Sequence, residues 1–573
     1  MRFFKRKRKY AQFDIDTVFL DSKNMPVFNR SQKEGTIEQT INRKTIGTII
    51  AISFLFLLMM MIKAVHLQVI KGPKLNARAE NNRLNEIPLF ARRGVISDRN
   101  GELLAWNELD NKDINNEDTL EYIPDRLYTG KSGMGHILGY VSYPKKDSNG
   151  QYWQSSFSGR EGIEKIFDKE LAGKNGARLV EVDVAGKILS TNLAQTPTTG
   201  DKIILTVDAR MQDVMYKSME SLAGRMKYKG GAGVIMDINT GEILTMSSYP
   251  EYKSEILSNG RDTETISNYF NDKRSIFLNR VFQGSYAPGS IIKPFVALKA
   301  LHDGVIKPET SILSTGTLSL PNPYDPANPT IFKDWKAHGY TNMKQAIAVS
   351  SDVYFYQVGG GFQNQKGIGI SGIIKIAKDF YIGEKTDFLF SGEVSGTVPS
   401  PEWKKKFFKG DIWRLGDTYN SSIGQYGWQV TPLQMVRAVG GIATNGKLVK
   451  PKITFNENTV TTKVGEDFTV QEYKIIKEGM HMTVTDGTVT ILNIPEMSIA
   501  GKTGTAQTGA SNQFINSWIV GYFPYDNPKY AFTVMMEGAP SNANQSASFV
   551  MYDFFKTIGR DYPELLKYLS GQE

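Results

Sequence analysis

The sequence predicts an α+β chain of several domains with a single N-terminal membrane helix, and three observations carry that prediction. An uncharged, mostly apolar run from Thr45 to Ile62 has about the length of a membrane-spanning helix. From about Leu67 to Val207 the patterning is of short strands and turns. From Gly200 onward, strand patterns and amphipathic helix patterns alternate, which marks a second, larger domain. A length of 573 residues suggests three to four domains, and 40% hydrophobic content is ample for a large core.

The flanks of the apolar run decide its role. Arg43 and Lys44 precede it, and no small-residue cleavage pattern follows in Lys63 to Gln68, so an uncleaved anchor is expected rather than a signal peptide. Basic residues concentrate before it, which predicts a cytoplasmic tail and an extracytoplasmic bulk. Much of the net charge of +9 comes from Arg2, Lys5, Arg6, Lys7, Arg8 and Lys9. The membrane is the nearer partner for that charge, and nucleic acid is not expected. The absence of cysteine excludes disulfides, thiolate chemistry and cysteine-based zinc sites.

The stretch Tyr286 to Leu301 is the centre of the chemistry. Pro288 and Gly289 are turn residues, Ser290 suits a helix start, and Ile292, Phe295, Val296 and Leu301 follow at roughly helical spacing. Ser290 and Lys293 therefore share one helix face. A serine hydroxyl needs a neighbouring base, and a lysine desolvated among apolar residues can serve as one. A helix cap beside an unrelated surface lysine would read the same way in isolation. Two further stretches change the balance: Ser350-Ser351-Asp352, and Lys502-Thr503-Gly504-Thr505.

The order Ser-x-x-Lys, Ser-x-Asn-like, Lys-Thr-Gly is the signature set of penicillin-binding proteins and serine β-lactamases. The chain resembles a class B penicillin-binding protein, a peptidoglycan D,D-transpeptidase, and within that class the elongation-type branch of penicillin-binding protein 2, since Asp352 replaces the usual asparagine. The resemblance covers about 500 residues from Leu67 onward. It implies that Ser290 is the acyl-accepting nucleophile, Lys293 its activating amine, and Ser350 a proton relay between Lys293, Lys502 and the leaving amine. It also implies that Lys502, on an edge strand, sets a cation near a substrate carboxylate, which Thr503 helps to hold. Gly504 would let substrate backbone lie against the strand, Asp352 and Thr505 would contact substrate, and the backbone N–H groups of Ser290 and Thr505 would form the oxyanion hole. An aspartate cannot donate as the usual amide does.

The region before the catalytic domain resembles the pedestal of that family. Gly94 to Leu104 reads as a hairpin with an Asn-Gly turn. Arg93, Asp98, Arg99, Arg160, Glu161 and Glu164 are expected to pair across the module and knit it to the transpeptidase domain. Only 29 residues, Trp106 to Met134, stand where elongation-type relatives carry a longer head. The expected divisions are a basic tail over 1–44, an anchor over 45–67, a mostly β pedestal with short head over 68–200, and over 201–573 a transpeptidase fold of antiparallel sheet between helices.

Within that last domain the patterns predict a strand over Asp201–Asp208, a helix from Ala209 to about Leu222, and a hairpin over Gly231–Met246 turning at Asn-Thr-Gly. A loop is expected over Leu320–Ile331, strands over Trp518–Phe523 and Tyr530–Glu537, and one or two helices over Ser548–Leu569. Asp334 and His338 lie four apart; some elongation-type relatives carry zinc hereabouts with a cysteine ligand, which this chain lacks, so His338 is expected to support the active-site loop. Asp417 to Gln434 resembles the family's Gly-Gln segment leading into a helix, while Asn516-Ser517-Trp518 departs from the His-Ala-Trp of many relatives. None of the five histidines sits in a general-base motif. No metal, nucleotide or organic cofactor is called for.

The resemblance implies stem peptides and lipid-linked glycan strands as substrates and β-lactams as acylating inhibitors. As partners it implies a SEDS-family membrane glycosyltransferase and other elongation-complex proteins. A hydrolytic relative, carboxypeptidase or β-lactamase, would share all three motifs, and a largely non-catalytic regulator of the glycosyltransferase is the alternative from another class.

Overall fold

A computed structural model of the chain describes residues 42–76, 84–108, 123–182, 188–322 and 325–571. The basic tail, about half of the short head (109–122) and Asp183–Lys187 lie outside the described residues. The chain divides into two units, residues 1–85 with 183–185, and the remainder.

In the first unit, α1 (Arg43–Val65) is 23 residues long and begins where the Asn42 side chain accepts from the Lys44 amide at 3.2 Å. At 1.5 Å per residue it spans roughly 35 Å, against about 30 Å of bilayer hydrocarbon. None of its residues is buried, and Ile49, Phe54 and Met59 are more than half exposed. Such a surface needs an apolar surrounding. The helical run over Arg43–Ile70 is the one described stretch long and apolar enough to cross a membrane.

The second unit opens on the expected hairpin. β1 (Ile96–Ser97) and β2 (Leu103–Asn107) turn at Asn100-Gly101, where Gly101 has φ 85° and the Asp98 carboxylate accepts from the amides of Asn100 and Glu102 at 2.8 Å. β3 (Arg126–Tyr128) lies beside β2, and β4 (Gly176–Val182) and β5 (Ile188–Gln195) form a separate antiparallel pair. The fully buried Glu164 carboxylate joins two guanidinium groups, Arg93 Nε at 2.5 Å and Arg126 Nε at 2.8 Å, while Arg93 also reaches Asp168 at 2.7 Å. Asp98 accepts from the Ala209 amide at 3.1 Å, and Arg99 reaches Glu242 at 3.3 Å, so both tie this sheet to the larger domain. The expected charge network is thus real in part. Arg160 and Glu161 remain exposed, and Arg126 and Asp168 take the places expected of them.

The strand expected over Asp201–Asp208 is only β6 (Ile203–Ile204), paired parallel to β1. Beyond it the chain must leave the sheet to cap a helix: Asp208 accepts from the amides of Arg210 and Met211 at the start of α2 (Ala209–Met226). β7 (Gly230–Asp237) and β8 (Ile243–Tyr249) follow, turning at Asn239–Gly241 as expected.

The remaining elements that position the site are α3 (Lys293–His302), α4 (Asp352–Gly360), α5 (Pro432–Ala443), α6 (Val470–Thr485), β9 (Ala500–Thr508), β10 (Phe514–Phe523), β11 (Tyr530–Pro540), α7 (Ser548–Asp561) and α8 (Pro563–Ser570). The five-stranded sheet runs β8-β7-β11-β10-β9, with every neighbour antiparallel and β9 at the edge. α2, α7 and α8 cover one face through Met215, Phe554 and Leu569. α5 is buried along its whole length on the other face, in one core with Phe295, Tyr354 and Ile476 of α3, α4 and α6. The loop expected over Leu320–Ile331 is the tip of a hairpin pairing Thr317–Leu320 with Thr330–Lys333.

Two predictions follow from the pedestal contacts. Glu164→Ala leaves the buried Arg126 guanidinium without a carboxylate and Arg93 with Asp168 alone, which costs about 3–5 kcal/mol; the melting transition of the solubilised chain should fall well below that of the native protein, and an unchanged midpoint would refute the bridge.

Glu251 clamps the segment before the Gly135–Leu138 helical turn, accepting from Gly133 N at 2.6 Å and Gly135 N at 2.8 Å. Burial pushes its carboxyl up to about 7, against the partial opposition of those two donors. A carboxyl that holds its proton more tightly folded than unfolded stabilises the fold below its ordinary pKa, and this is lost as pH rises through about 7. Thermal stability should therefore decline between pH 5 and 8 by roughly 3 kcal/mol, and Glu251→Gln should flatten that slope; an equal slope in the variant counts against the clamp.

Candidate active site

The turn that carries Ser290 is built from main-chain contacts. Gly289 has φ 57°, and a Cβ on it would stand 2.8 Å from the Thr505 carbonyl oxygen of β9. Its amide donates to the Gly424 carbonyl at 2.9 Å, and the neighbouring Tyr286 exchanges two 2.9 Å backbone hydrogen bonds with Val430. The helix expected near Ser290 begins as a tight turn over Gly289–Ile292 and becomes α-helical at Lys293. Trp518 donates its indole N–H to Ala287 O at 2.9 Å, while Asn516 and Ser517 accept from the amides of Gly538 and Ala547. The departure at Asn516-Ser517 is therefore accommodated by contacts within and beside the sheet.

Lys293 is fully buried, and its three donors are spent on Ser350 O at 2.8 Å, Ser350 Oγ at 3.2 Å and Asp352 Oδ1 at 2.6 Å. The lysine is desolvated as expected but not alone: a carboxylate faces it. Asp352, expected to contact substrate, is thus engaged in an ion pair with Lys293. Ser350 holds φ 57°, a conformation costing a non-glycine residue about 1–3 kcal/mol. The neighbouring Ser351 fixes it there by capping α4, accepting from Tyr354 N at 3.3 Å.

Lys502 lies in β9 opposite Val520, fully buried, with Nζ 2.9 Å from Ser350 Oγ and 2.8 Å from Thr503 O. Burial, reinforced by the charge of Lys293, pushes its amine well below the usual lysine range, with Asp352 a partial counterweight. Inward and outward residues alternate along β9, and 502 falls on the inward side that meets Ser350. One hydroxyl, Ser350 Oγ, therefore stands between two lysine amines that arrive from a helix and from a strand.

Gly504 also points inward. A Cβ there would stand 2.6 Å from Pro288 O and 2.9 Å from the Ile291 side chain. Its bare α-carbon allows β9 to approach the turn that carries Ser290. Thr503 and Thr505 point outward, and Thr503 Oγ1 shares a 2.7 Å hydrogen bond with Thr488 Oγ1. Gln425 donates to Thr505 O at 3.5 Å, so the Gly-Gln segment flanks the same strand.

Asp334 supports the loop before α4. Its Oδ2 accepts from Ser351 Oγ at 2.9 Å, Val353 N at 3.0 Å and Ser314 Oγ at 3.2 Å, and its Oδ1 faces His338 Nε2 at 3.4 Å. Burial works against its charge, but hydrogen bonds from Val353, Asp352 and Ser351 outweigh it and hold the carboxyl below its ordinary range. Burial lowers the His338 imidazole in spite of Asp334. Trp335 donates its indole N–H to Val349 O at 3.2 Å, beside Ser350. Sequence reasoning missed Thr488 and Trp335; the signal for Thr488 was the Asp486-Gly487 turn just before it, and Trp335 sat unused beside Asp334.

Comparison with known proteins agrees with this geometry. Residues 231–556 match the family described as penicillin binding protein transpeptidase domain, and residues 119–205 match the penicillin-binding protein dimerisation domain. A Salmonella typhimurium protein named peptidoglycan D,D-transpeptidase MrdA is 30% identical over 466 residues, covering 75% of this chain and 72% of its own length. The Haemophilus influenzae protein of the same name is 29% identical over 604 residues, covering 88% of this chain and 89% of its own. The Helicobacter pylori penicillin-binding protein PBP2, solved in complex with MreC, superposes with a TM-score of 0.66 at 26% identity, over 84% of this chain and 99% of the solved one.

Gly504→Ala tests the close approach of β9. A displacement of the edge strand by about 1 Å should slow penicillin acylation of Ser290 on the order of a hundredfold, measured by stopped-flow labelling, with the sheet still folded by circular dichroism. Acylation at the native rate would show that the contact with Pro288 has no bearing on the nucleophile.

Proposed function

The chain belongs to the class B penicillin-binding proteins, in the elongation-type branch, and we propose that it cross-links peptidoglycan stem peptides as a D,D-transpeptidase through an acyl-enzyme on Ser290. The observation that carries this reading is the Ser350 hydroxyl at 3.2 Å from Lys293 and 2.9 Å from Lys502.

Lys293 can act as a base only without its extra proton. Ser350 Oγ can receive a proton from Lys293 and give its own to the Lys502 amine, which burial keeps ready to accept it. Neutral Lys293 then takes the Ser290 proton as Oγ attacks the carbonyl carbon of the penultimate D-Ala. The backbone N–H groups of Ser290 and Thr505 receive the oxyanion, and Gly289 against Thr505 supports that arrangement. As the tetrahedral intermediate collapses, the C–N bond breaks, a proton returns through Ser350 to the leaving nitrogen, and D-Ala departs. An acceptor amine attacks the ester carbonyl and loses its proton by the same route, and Ser290 Oγ regains a proton as the new amide forms. Outward Thr503, beside Thr488, is the residue of β9 suited to a substrate carboxylate. Asp352 holds and orients Lys293, and from there can contact substrate only at its exposed edge.

The apolar helix over Arg43–Ile70 anchors the chain in the cytoplasmic membrane, with the basic tail inside and the catalytic domain outside. Partners of the kind the Helicobacter pylori relative binds, a MreC-like protein, and a SEDS-family glycosyltransferase fit an elongation-complex role. An idle regulatory domain would not require the assembled relay, and neither that alternative nor a hydrolytic one has an observation in its favour.

The test is intact-mass spectrometry of the detergent-solubilised chain with a fluorescent penicillin, beside Ser290→Ala. The native chain should carry one adduct lasting many minutes and the variant none. No adduct on the native chain, or an equal adduct on the variant, would sink the acyl-enzyme.

A further inference from the structure

The segment 401–414 carries Trp403, Phe407, Phe408 and Trp413 interleaved with five cations. Aromatic residues at such spacing usually fill a core. Here Phe407 is 68% exposed, Phe408 47% and Ile412 70%, so apolar surface faces water.

The surface is nonetheless rigid. Ser400 caps the helix Pro401–Phe407, accepting from Trp403 N at 3.0 Å. The Trp403 ring lies so close to Gly427 that a Cβ there would meet it at 2.2 Å. Trp403 and Phe407 stack at 5.4 Å with planes 15° apart, and Phe408 and Tyr426 at 6.2 Å with planes 8° apart. Beneath them Lys404 is buried against Asp417 at 2.7 Å and Asp411 at 3.0 Å, so it is foundation and not ligand. Lys405, Lys406 and Lys409 are exposed and, among the described residues, have no acidic partner.

One short segment joins the surface to the Ser290 turn and to β9. Tyr426 directly follows Gln425, which donates to Thr505 O, and Gly424, which accepts from the Gly289 amide.

We propose that Trp403, Phe407, Phe408 and Tyr426, flanked by Lys405 and Lys406, form a subsite that seats a peptidoglycan strand beside Ser290. The proposal rests on the transpeptidase reading. An aromatic face is the negative part of the ring quadrupole and takes the apolar C–H face of a sugar. Exposed lysines are complementary to the free carboxylates of stem peptides. A bilayer surface is the competing occupant, since aromatic and basic residues also suit a membrane interface; the join to the Ser290 turn favours the strand.

The experiment uses the full chain in detergent and measures co-sedimentation with purified insoluble peptidoglycan, with penicillin acylation recorded in parallel. Phe407→Ala with Phe408→Ala should weaken sedimentation about tenfold and leave acylation within about twofold of native, since neither ring touches the nucleophile turn. Lys405→Gln with Lys406→Gln should weaken it less, by an amount that salt removes from the native chain. Undiminished sedimentation of the phenylalanine variant overturns the proposal. So does quenching of Trp403 by brominated lipid when the chain is in nanodiscs, seen as loss of quenching in Trp403→Phe. A native chain that sediments through these rings but takes no penicillin would defeat the acyl-enzyme and leave the subsite standing.

Discussion

The working part of this molecule depends on one hydroxyl held between two amines. Ser350 Oγ reaches Lys293 from the nucleophile helix and Lys502 from the sheet edge, and each lysine is fully buried. Two ammonium groups would not share so small a dry space without cost. Asp352 offsets one charge through its ion pair with Lys293, and burial disfavours the other. The strained backbone of Ser350, the cap at Ser351 and the Asp334 hydrogen bonds all serve to keep that hydroxyl in place. The same cluster brings the helix, the loop before α4 and the edge strand together: no one of them holds all three groups.

Much of the fold was legible in the sequence because its turns are chemically explicit. Asn100-Gly101 and Asn239–Gly241 supply left-handed glycine, and Thr431-Pro432 supplies a cap and a first-turn proline, so the hairpins and α5 follow from local rules. The same rules overran at Asp201–Asp208, where alternating residues read as one strand, but only Ile203 and Ile204 pair along β1, Leu205 turns to bridge Thr454, and Asp208 caps α2. In the site, spacing identifies which residues share a face and says nothing of what lies opposite. Lys502 and Gly504 both lie on the inward face of β9, meeting Ser350 and Pro288, contacts that the spacing does not reveal. Asp352 could be recognised as a substituted asparagine, but its engagement with Lys293 depends on how α4 meets α3, which no local pattern encodes.

The pedestal contacts follow a different logic. Its buried charges are arranged as a carboxylate between two guanidinium groups, an assembly whose worth lies in orientation more than in net stability. Arg93 and Arg126 come from separate strands or their approaches, and Glu164 from a short helix, so the bridge fixes three elements with one side chain. Asp98 and Arg99 extend that order to the start of α2 and to the β7–β8 hairpin.

Around the nucleophile, three glycines meet main chain at distances that leave no room for a side chain: Gly289 against Thr505, Gly424 against Gly289, and Gly504 against Pro288. The walls there are made of peptide groups, which every amino acid shares. Any side chain added at these three positions would have to displace backbone. Whatever distinguishes one such site from another must then be written in the side chains around these three positions, while the contact between turn and strand is left to a shape that evolution can keep or lose but hardly adjust.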